Sequence, residues 1–346
     1  MTEMQPPMSL RDRTAEALPW LVTAAMALAI FALAFGPDWS SLPARGLMLI
    51  GFFAMSAHLL RGQGRQFFNG PMSYVAAGSL LLLVVLALFA NEIAPQNPYD
   101  LRQLDIMDGR LPPGSTTFDG AMTYHLGTDE QGRDILSGIL YGLRVSLSVA
   151  IVATLVAMAI GVVVGIYAAW AGGRVETILM RLVDLQLSFP SILVALMLMA
   201  AFGRGLDKVV IALIIVQWAY YARTVRGTAL SEARKEYIDA ARGLGLPARR
   251  IVFRHLLPNC IPPLLVISTV QIANTIVLES SLSFLGVGVP ITQPSLGLLI
   301  ANGYDYMLSG QYWMSMYPGV ALLAIVASIN LVGDRLRDTL NPRLRK

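Results

Sequence analysis

Long apolar stretches alternate with polar segments along the whole chain. Most of these stretches approach the roughly 20 residues that a helix needs to cross the hydrocarbon core of a bilayer. They lack the polar alternation of a membrane barrel, and lipid offers no water to unpaired backbone groups, so helices are the expected spanning form. The predicted spans cover about 20–36, 73–90, 145–170, 178–203, 208–224, 261–286 and 313–333, with a shorter eighth stretch at about 46–60.

The composition supports the same conclusion independently of the pattern. Hydrophobic residues make up 55% of the 346 residues, and charged residues only 14%. A soluble chain with so few charged side chains would have too little polar surface to cover its apolar interior. We therefore expect an all-α polytopic membrane protein.

Charge asymmetry predicts the orientation of the loops. Residues 89–143 contain eight acidic and three basic side chains, whereas residues 221–258 contain eight basic and three acidic ones. By the positive-inside rule the first segment is external and the second cytoplasmic. Basic residues near the C-terminus and an even number of spans then predict that both termini are cytoplasmic. The net charge of +4 follows from this topology, so a helix-turn-helix binding nucleic acid at 228–258 is an unneeded alternative.

The predicted spans divide the chain into four regions. The first contains two stretches that precede the core, and the short 46–60 stretch leaves an interfacial or re-entrant segment as an alternative to a true span. The regions are an N-terminal cytoplasmic tail with an accessory hydrophobic hairpin (1–72), a first core span with an external loop (73–142), the core spans with a cytoplasmic loop at about 223–260 (143–334), and a cytoplasmic tail (335–346).

Residues 237–258 of the cytoplasmic loop read YIDAARGLGLPARRIVFRHLLP. Gly243 and Gly245 permit a tight turn, Pro247 favours the start of a second helix, and Pro258 is expected to end that helix. Two short helices at a bilayer surface suit a docking element, but they equally suit a solvated connection between spans.

This segment resembles the signature of ABC importer permeases, which is Glu-Ala-Ala, three residues, Gly, nine residues, then Ile-x-Leu-Pro. Two positions depart from it, with Asp239 in place of Glu and His255 in place of Ile. In that family the segment is a coupling helix that inserts into a cleft of the ATPase subunit. The resemblance implies ATPase-coupling roles for Glu236, Asp239, Ala240, Ala241, Gly243, Gly245, Leu257 and Pro258.

Individual residues of the coupling segment also have local explanations. The small side chains of Ala240 and Ala241 are expected to let a partner approach closely. Asp239 and Arg242 are three residues apart, so a purely helix-supporting role for Asp239 remains an alternative.

The end of the external loop, residues 124–150, predicts a helix start. Thr128 is followed by acidic residues, as in an N-cap with a favourable first turn. Apolar residues from Ile135 to Leu140 recur at helical spacing, which predicts an amphipathic helix along the outer membrane surface before the chain turns inward. His125 and Asp129 have no second His or Cys nearby, so we expect no metal site.

The same segment resembles a signature of the dipeptide, oligopeptide and nickel branch of ABC importer permeases. The residues that carry this resemblance are Gly127, Thr128, Asp129, Gly132, Arg133 and Asp134.

Glu279 lies deep in the predicted span 261–286. An ionisable group at that depth costs free energy unless it faces a cavity or a partner, so Glu279 and Ser280 are candidates for the translocation pathway. The alternative is a structural Glu279 near the external interface, bonded to helix backbone and to Ser280 or Ser281. The breakers that follow should then build a rigid external re-entry, and they are Gly286, Gly288, Pro290 and Pro294.

Within the other spans, Pro190 predicts a kink. Such a kink suits either a helix that lines the translocation pathway or helix packing alone. We expect Arg181 and Asp184 to pair with each other. Gly161 and Gly165 suit close helix packing.

The chain lacks the residues for several kinds of chemistry. None of its lysines follows a Gly-x-x-x-x-Gly sequence, so it has no P-loop. One cysteine and three histidines exclude an intrachain disulfide and offer no zinc motif. We expect no catalytic residue, metal or cofactor in this chain, with ATP and Mg²⁺ bound by partner ATPase subunits as the resemblance implies.

Over about residues 73–346 the chain resembles the C-type permease subunit of that peptide and nickel branch. The resemblance implies a type I ABC importer transmembrane domain, here with an extra N-terminal hairpin, that translocates peptides or a similar small solute across the cytoplasmic membrane. The alternative function is an ion-coupled secondary transporter that uses Glu279 as its carrier. The implied partners are a homologous second permease, two ATP-binding subunits, an extracytoplasmic substrate-binding protein and membrane lipid.

Overall fold

A computed structural model describes residues 71–98, 100, 102, 104–290 and 292–340. The predicted accessory hairpin at about 20–60 lies outside these residues, and so does the end of the C-terminal tail. The described part is mostly helical, and a short antiparallel hairpin in the loop before α3 adds two strands.

The elements follow one another in this order: α1 Pro71–Leu88, α2 Ala90–Ile93, a 3-10 turn Ile106–Asp108, β1 Ser115–Thr116, β2 Thr123–Tyr124, α3 Ile135–Ala171, α4 Gly173–Ser188, α5 Ser191–Phe202, α6 Leu206–Ala233, α7 Glu236–Gly243, α8 Ala248–Ile251, a π turn Val252–Leu256, α9 Leu257–Phe284, α10 Leu296–Tyr304, a 3-10 turn Met307–Ser309 and α11 Trp313–Leu340.

Five helical segments of the described chain are long and apolar enough to cross a membrane. A sixth is added if the bent pair α4–α5 is one span. These six segments coincide with the six predicted stretches from 73 onward, so the all-α polytopic fold is confirmed. The five unbroken ones are α1, α3, α6, the continuous run from Ala248 to Phe284, and α11.

Two glycines bring α3 and α6 into close contact. A Cβ at Gly161 would lie 2.6 Å from the carbonyl oxygen of Trp218, and one at Gly165 would lie 2.6 Å from that of Ala222. Backbones can approach this closely only where no side chain intervenes. The predicted packing role of both glycines is therefore confirmed.

The predicted amphipathic surface helix before α3 is wrong. One unbroken helix begins at Ile135 and continues to Ala171, with no inward turn between them. Ile135 is 2% and Ile139 8% exposed, because α10 and α11 cover this end of α3 in one apolar cluster. The apolar stripe thus packs against protein, which a hydrophobic period alone cannot distinguish from a membrane surface.

Two prolines act differently from their predicted roles. Pro258 does not end a helix, because it lies in the first turn of α9 directly after the π turn Val252–Leu256, where regular α-helical bonding is already interrupted. Pro190 does more than kink its span, since α4 and α5 meet at 91°. The predicted pair of Arg181 and Asp184 is also wrong, because Asp184 pairs with Arg223 of α6 at 2.6 Å.

The predicted break after α9 and the return of the chain into the helix bundle are present. α9 ends at Phe284, and Gly286 then has a φ of +73°. Ser295 caps the short helix α10 by accepting a hydrogen bond from the Leu298 N–H at 3.2 Å. α10 packs so closely that a Cβ at Gly142 of α3 would lie 3.1 Å from the Leu296 nitrogen.

Candidate functional site

The segment between α6 and α9, which the charge pattern predicts to be cytoplasmic, folds into a helix, a glycine turn and a second short helix. α7 carries Glu236 in its first turn, where an acidic side chain complements the positive end of the helix dipole. It ends at a turn in which the Leu246 N–H bonds the Ala241 carbonyl at 3.2 Å. Gly245 has a φ of +69°, a conformation that glycine adopts without steric cost. Pro247 directly precedes α8, as its fixed φ favours.

One side of α7 is packed against the rest of the chain. Ile238 is fully buried and Ala241 is 6% exposed, and both join an apolar cluster with Ile251 and Leu256. Trp170 at the end of α3 packs on this cluster, and the guanidinium of Arg242 lies 5.7 Å from its ring centroid. The two short helices therefore rest on a small core of their own.

The opposite side of α7 is open. Five of the predicted coupling residues are exposed there: Glu236, Asp239, Ala240, Gly243 and Gly245. Leu244, which the sequence analysis missed, is 80% exposed at the tip of the same face. Its position four residues after Ala240 was the available signal, because residues four apart share a helix face.

The remaining predicted coupling residues lie elsewhere. Leu257 and Pro258 are in the first turn of α9. Ala241 faces the chain's own core, so the expectation that it admits a partner is wrong for this residue. Small size at this position instead lets α7 lie close to that core.

Neither turn glycine is constrained by surrounding atoms. A Cβ built on Gly243 or Gly245 would meet nothing within 4 Å. Only Gly245 has a positive φ, so a side chain there strains the backbone without any clash. Arg242 and Asp239 form the local pair at 3.3 Å, but both side chains are about half exposed, and such pairs contribute little.

Glu279 is fully buried between helices. Its Oε2 accepts a hydrogen bond from the Ser146 hydroxyl of α3 at 2.8 Å, and its Oε1 accepts one from Ser283 at 2.8 Å. Ser280 lies at the limit of hydrogen bonding, 3.5 Å away, and Ser281 instead donates to the Val277 carbonyl. The structural alternative predicted that serines hold this carboxylate, and they do. The two closest, Ser146 and Ser283, are not the predicted Ser280 and Ser281.

A second polar contact joins three spans near the middle of the described chain. Gln217 of α6 is 1% exposed, and its amide contacts the Thr275 hydroxyl of α9 and, at 3.5 Å, that of Thr154 of α3. Buried amide and hydroxyl groups that bond across helices hold membrane bundles together. No local pattern in the sequence indicates this contact, because Gln217 lies 63 residues from Thr154 and 58 from Thr275.

The external-loop signature forms a hydrogen-bonded turn before α3. The Thr128 hydroxyl donates to the Asp108 carbonyl at 2.6 Å, so its predicted N-cap role is wrong. Asp134 is the cap, and its Oδ2 accepts from the Ser137 N–H at 2.8 Å. Gly127 and Gly132 both have positive φ.

Asp129 organises the same turn through its carboxylate. Its Oδ1 accepts hydrogen bonds from the backbone N–H groups of Gln131 at 2.8 Å and Arg133 at 2.9 Å. Burial raises the pKa of the Asp129 carboxyl above its ordinary value, against these bonds, which act to lower it. Among the described residues no three His, Cys, Asp or Glu side chains are grouped to hold a metal ion.

Comparison with known proteins gives one consistent family. Residues 161–346 match the model of the binding-protein-dependent transport system inner membrane component. The chain is 36% identical over 266 residues to the di/tripeptide transport system permease protein DppC of Pseudomonas aeruginosa (strain UCBPP-PA14), covering 77% of this chain and 86% of that protein. It is 37% identical over 267 residues to the dipeptide transport system permease protein DppC of Escherichia coli (strain K12), covering 77% and 87%.

A solved structure supports the fold. A chain of the inward-facing MetNI methionine ABC transporter matches with a TM-score of 0.51 and 21% sequence identity. The match covers 60% of this chain and 98% of that chain. At this identity the likeness supports the fold alone.

Proposed function

The chain belongs to the family of binding-protein-dependent transport system inner membrane components, and on that premise we propose how its own residues serve transport. As a member it is a multi-pass inner membrane permease subunit of an ABC importer. ATP is hydrolysed by separate ATPase subunits, and the permease carries no cofactor. Because the chain belongs to this family, the alternative hypothesis of an ion-coupled secondary transporter with Glu279 as its carrier is set aside.

The proposed cargo is a short peptide or a similar small solute. The support comes from its relatives, which include permeases of di/tripeptide, dipeptide and D,D-dipeptide transport systems. An extracytoplasmic binding protein would deliver this cargo to the external side, where the acidic loop before α3 lies in the predicted topology. That topology, with both termini cytoplasmic, and the four-region division of the chain belong to the proposal.

The exposed face of α7 is the proposed ATPase contact. The observation that carries this assignment is Leu244, a large apolar side chain that is 80% exposed on a helix otherwise held by its own core. Glu236, Asp239 and Ala240 flank it on the open side. ATP binding would close the two ATP-binding subunits, and α7 would pass that movement to α6 and α9, biasing a two-state equilibrium of the spans.

The exposed face of the bent pair α4–α5 is the proposed contact with the homologous second permease. Leu182 is 52% and Met197 66% exposed, yet the charged side chains of Arg181 and Asp184 are exposed on the same helix pair. Hydrocarbon disfavours these charges, and water disfavours a large apolar patch. A protein surface satisfies both.

Substitution of Gly245 tests the ATPase contact. We expect Gly245→Arg to leave membrane insertion intact, because no atom of the chain lies within 4 Å of the added Cβ. Uptake should fall by about tenfold or more while ATP hydrolysis persists, since an Arg side chain at the centre of the contact separates the two surfaces, and losing a central anchor of an interface costs about 2 kcal/mol or more. Both rates would be measured on the complete transporter in liposomes.

Gly310→Arg is the matched control. Gly310 also has a positive φ, +85°, and open space around its Cβ, but it lies between α10 and α11, outside both α7 and the acidic loop before α3. Equal loss of uptake from both variants would point to backbone strain, and normal uptake by Gly245→Arg would contradict the proposed contact.

A further inference from the structure

Glu232 is a nearly buried carboxylate at the cytoplasmic end of α6, and the proposed ATPase contact does not use it. Its side chain belongs to a residue that is 7% exposed. The Oε1 atom accepts a hydrogen bond from the Tyr237 hydroxyl at 2.5 Å, and Oε2 pairs with the Lys235 ammonium at 2.7 Å. Both carboxylate oxygens are therefore occupied by residues that begin the coupling segment.

Tyr237 connects this carboxylate to the other flanking span. The Asn259 side-chain amide of α9 donates to the Tyr237 hydroxyl at 3.2 Å and to the His255 carbonyl at 2.7 Å. The Tyr237 ring also meets the His255 ring edge to face, with centroids 6.2 Å apart. One side chain of α7 thus contacts the end of α6, the π turn and the start of α9.

The hydrogen bonds are donated in one direction, from Asn259 to Tyr237 and from Tyr237 to Glu232. Burial and the Glu232 carboxylate raise the pKa of Tyr237 to about 12, so the phenol stays protonated at neutral pH. It donates its proton to Glu232 and accepts from Asn259. Hydrogen bonds to an ionised acceptor are stronger than neutral ones, so the Tyr237–Glu232 bond is the firmer of the two.

The hydrogen bonds through Tyr237 bridge a part of the backbone that lacks regular α-helical hydrogen bonding. Val252–Leu256 is a π turn, and such turns are uncommon interruptions of α-helices that often occur at functional sites. Pro258, Pro262 and Pro263 follow within the first turns of α9 and cannot donate backbone hydrogen bonds. The apolar cluster under α7 includes Ile251 and Leu256 but no residue of α9, so movement of α7 could be absorbed between the π turn and α9 unless other side chains bridge them.

We propose that Glu232, Tyr237 and Asn259 form a latch that makes α7 move as one body with the cytoplasmic ends of α6 and α9. They are positioning residues, acting through the helices that they join. The latch rests on the proposed role of α7 as the ATPase contact. Without it, the ATPases would still move α7, but the movement would reach α9 only weakly.

Hydrogen exchange on the assembled transporter tests this latch without knowledge of the cargo. The transporter in nanodiscs would be compared without nucleotide and after trapping with ATP and vanadate. In the unaltered protein, amide exchange should change both in α7 and in residues 252–261. In Tyr237→Phe, which keeps the ring but loses the hydroxyl, the change in α7 should persist while that in 252–261 falls by about half or more.

Two further variants separate the latch from general damage. Asn259→Ala should reproduce the Tyr237→Phe result, and the double variant should add little, because both changes break one chain of bonds. Tyr304→Phe removes a hydroxyl from an exposed tyrosine of α10, outside the latch, and should leave both changes intact.

The outcomes distinguish the latch from the function on which it rests. An unaltered exchange change at 252–261 in Tyr237→Phe would overturn the latch and leave the ATPase contact standing. If α7 of the unaltered protein showed no response to ATP and vanadate, the ATPase contact itself would be wrong, and the latch with it.

Discussion

Glu279 shows how a buried charge in a span can be fully accounted for within one chain. Its two carboxylate oxygens accept from Ser146 and Ser283, which lie on α3 and α9. Ser283 is one helical turn away, so the sequence contained that partner. Ser146 is 133 residues away, and no local pattern could have indicated it.

This arrangement predicts how Glu279 tolerates substitution. Glu279→Gln should retain folding and uptake, because an amide can still bond both serines once one hydroxyl reverses. Glu279→Leu should destabilise the chain by about 1–3 kcal/mol, since two buried hydroxyls lose their acceptor. Thermal unfolding in detergent, alongside uptake normalised to folded protein, would measure both effects. Loss of uptake by a stable Glu279→Gln would instead restore Glu279 as a pathway residue.

Ala241 and Thr128 show the limit of motif matching for single residues. Both belong to recognisable signatures, but a signature does not state which side of a helix faces the partner. Ala241 lies on the buried side of α7, and the Thr128 hydroxyl donates to a loop carbonyl and does not cap a helix N-terminus. The burial of Ile238 three residues earlier is the physical indication that Ala241 lies inward.

Among the elements, the bent pair α4–α5 differs most from its predicted form. Pro190 correctly predicted where the span is interrupted, but only as a kink. The two helices instead meet at 91°. A proline removes one hydrogen bond and clashes with the preceding turn, which makes a bend possible without fixing its angle. The angle depends on what the two helices pack against.

Photo-crosslinking tests the proposed partner of this pair. A benzoylphenylalanine at Leu182 should crosslink to the second permease in membranes that contain the assembled transporter. The same probe at Leu82 of α1 is the control, because Leu82 is similarly exposed, 59% against 52%, on a helix that is apolar all round. Crosslinks from Leu182 to lipid alone would show that this face meets the bilayer.

Across the whole molecule, the sequence predicted the elements well and their contacts poorly. Apolar stretches of span length and two spaced signatures were sufficient for the fold class, for the five or six candidate spans of the described residues and for the family. The contacts between Gln217 and Thr275, or between α10 and the glycines of α3, depend on residues distant in the chain. A hydrophobic period shows that a face is covered, but not whether lipid, another helix or a partner subunit covers it.

The central claim is that this chain works as one subunit of an ATP-driven assembly, joined to its ATPases through α7. The most direct measurement is purification of the tagged chain from membranes together with the products of its neighbouring genes, followed by ATPase and uptake assays with and without Gly245→Arg. The account predicts co-elution of a second permease and an ATP-binding subunit, with ATP hydrolysis that persists in the Gly245→Arg assembly but no longer drives uptake. A chain that purifies alone and transports in liposomes on an ion gradient would contradict it.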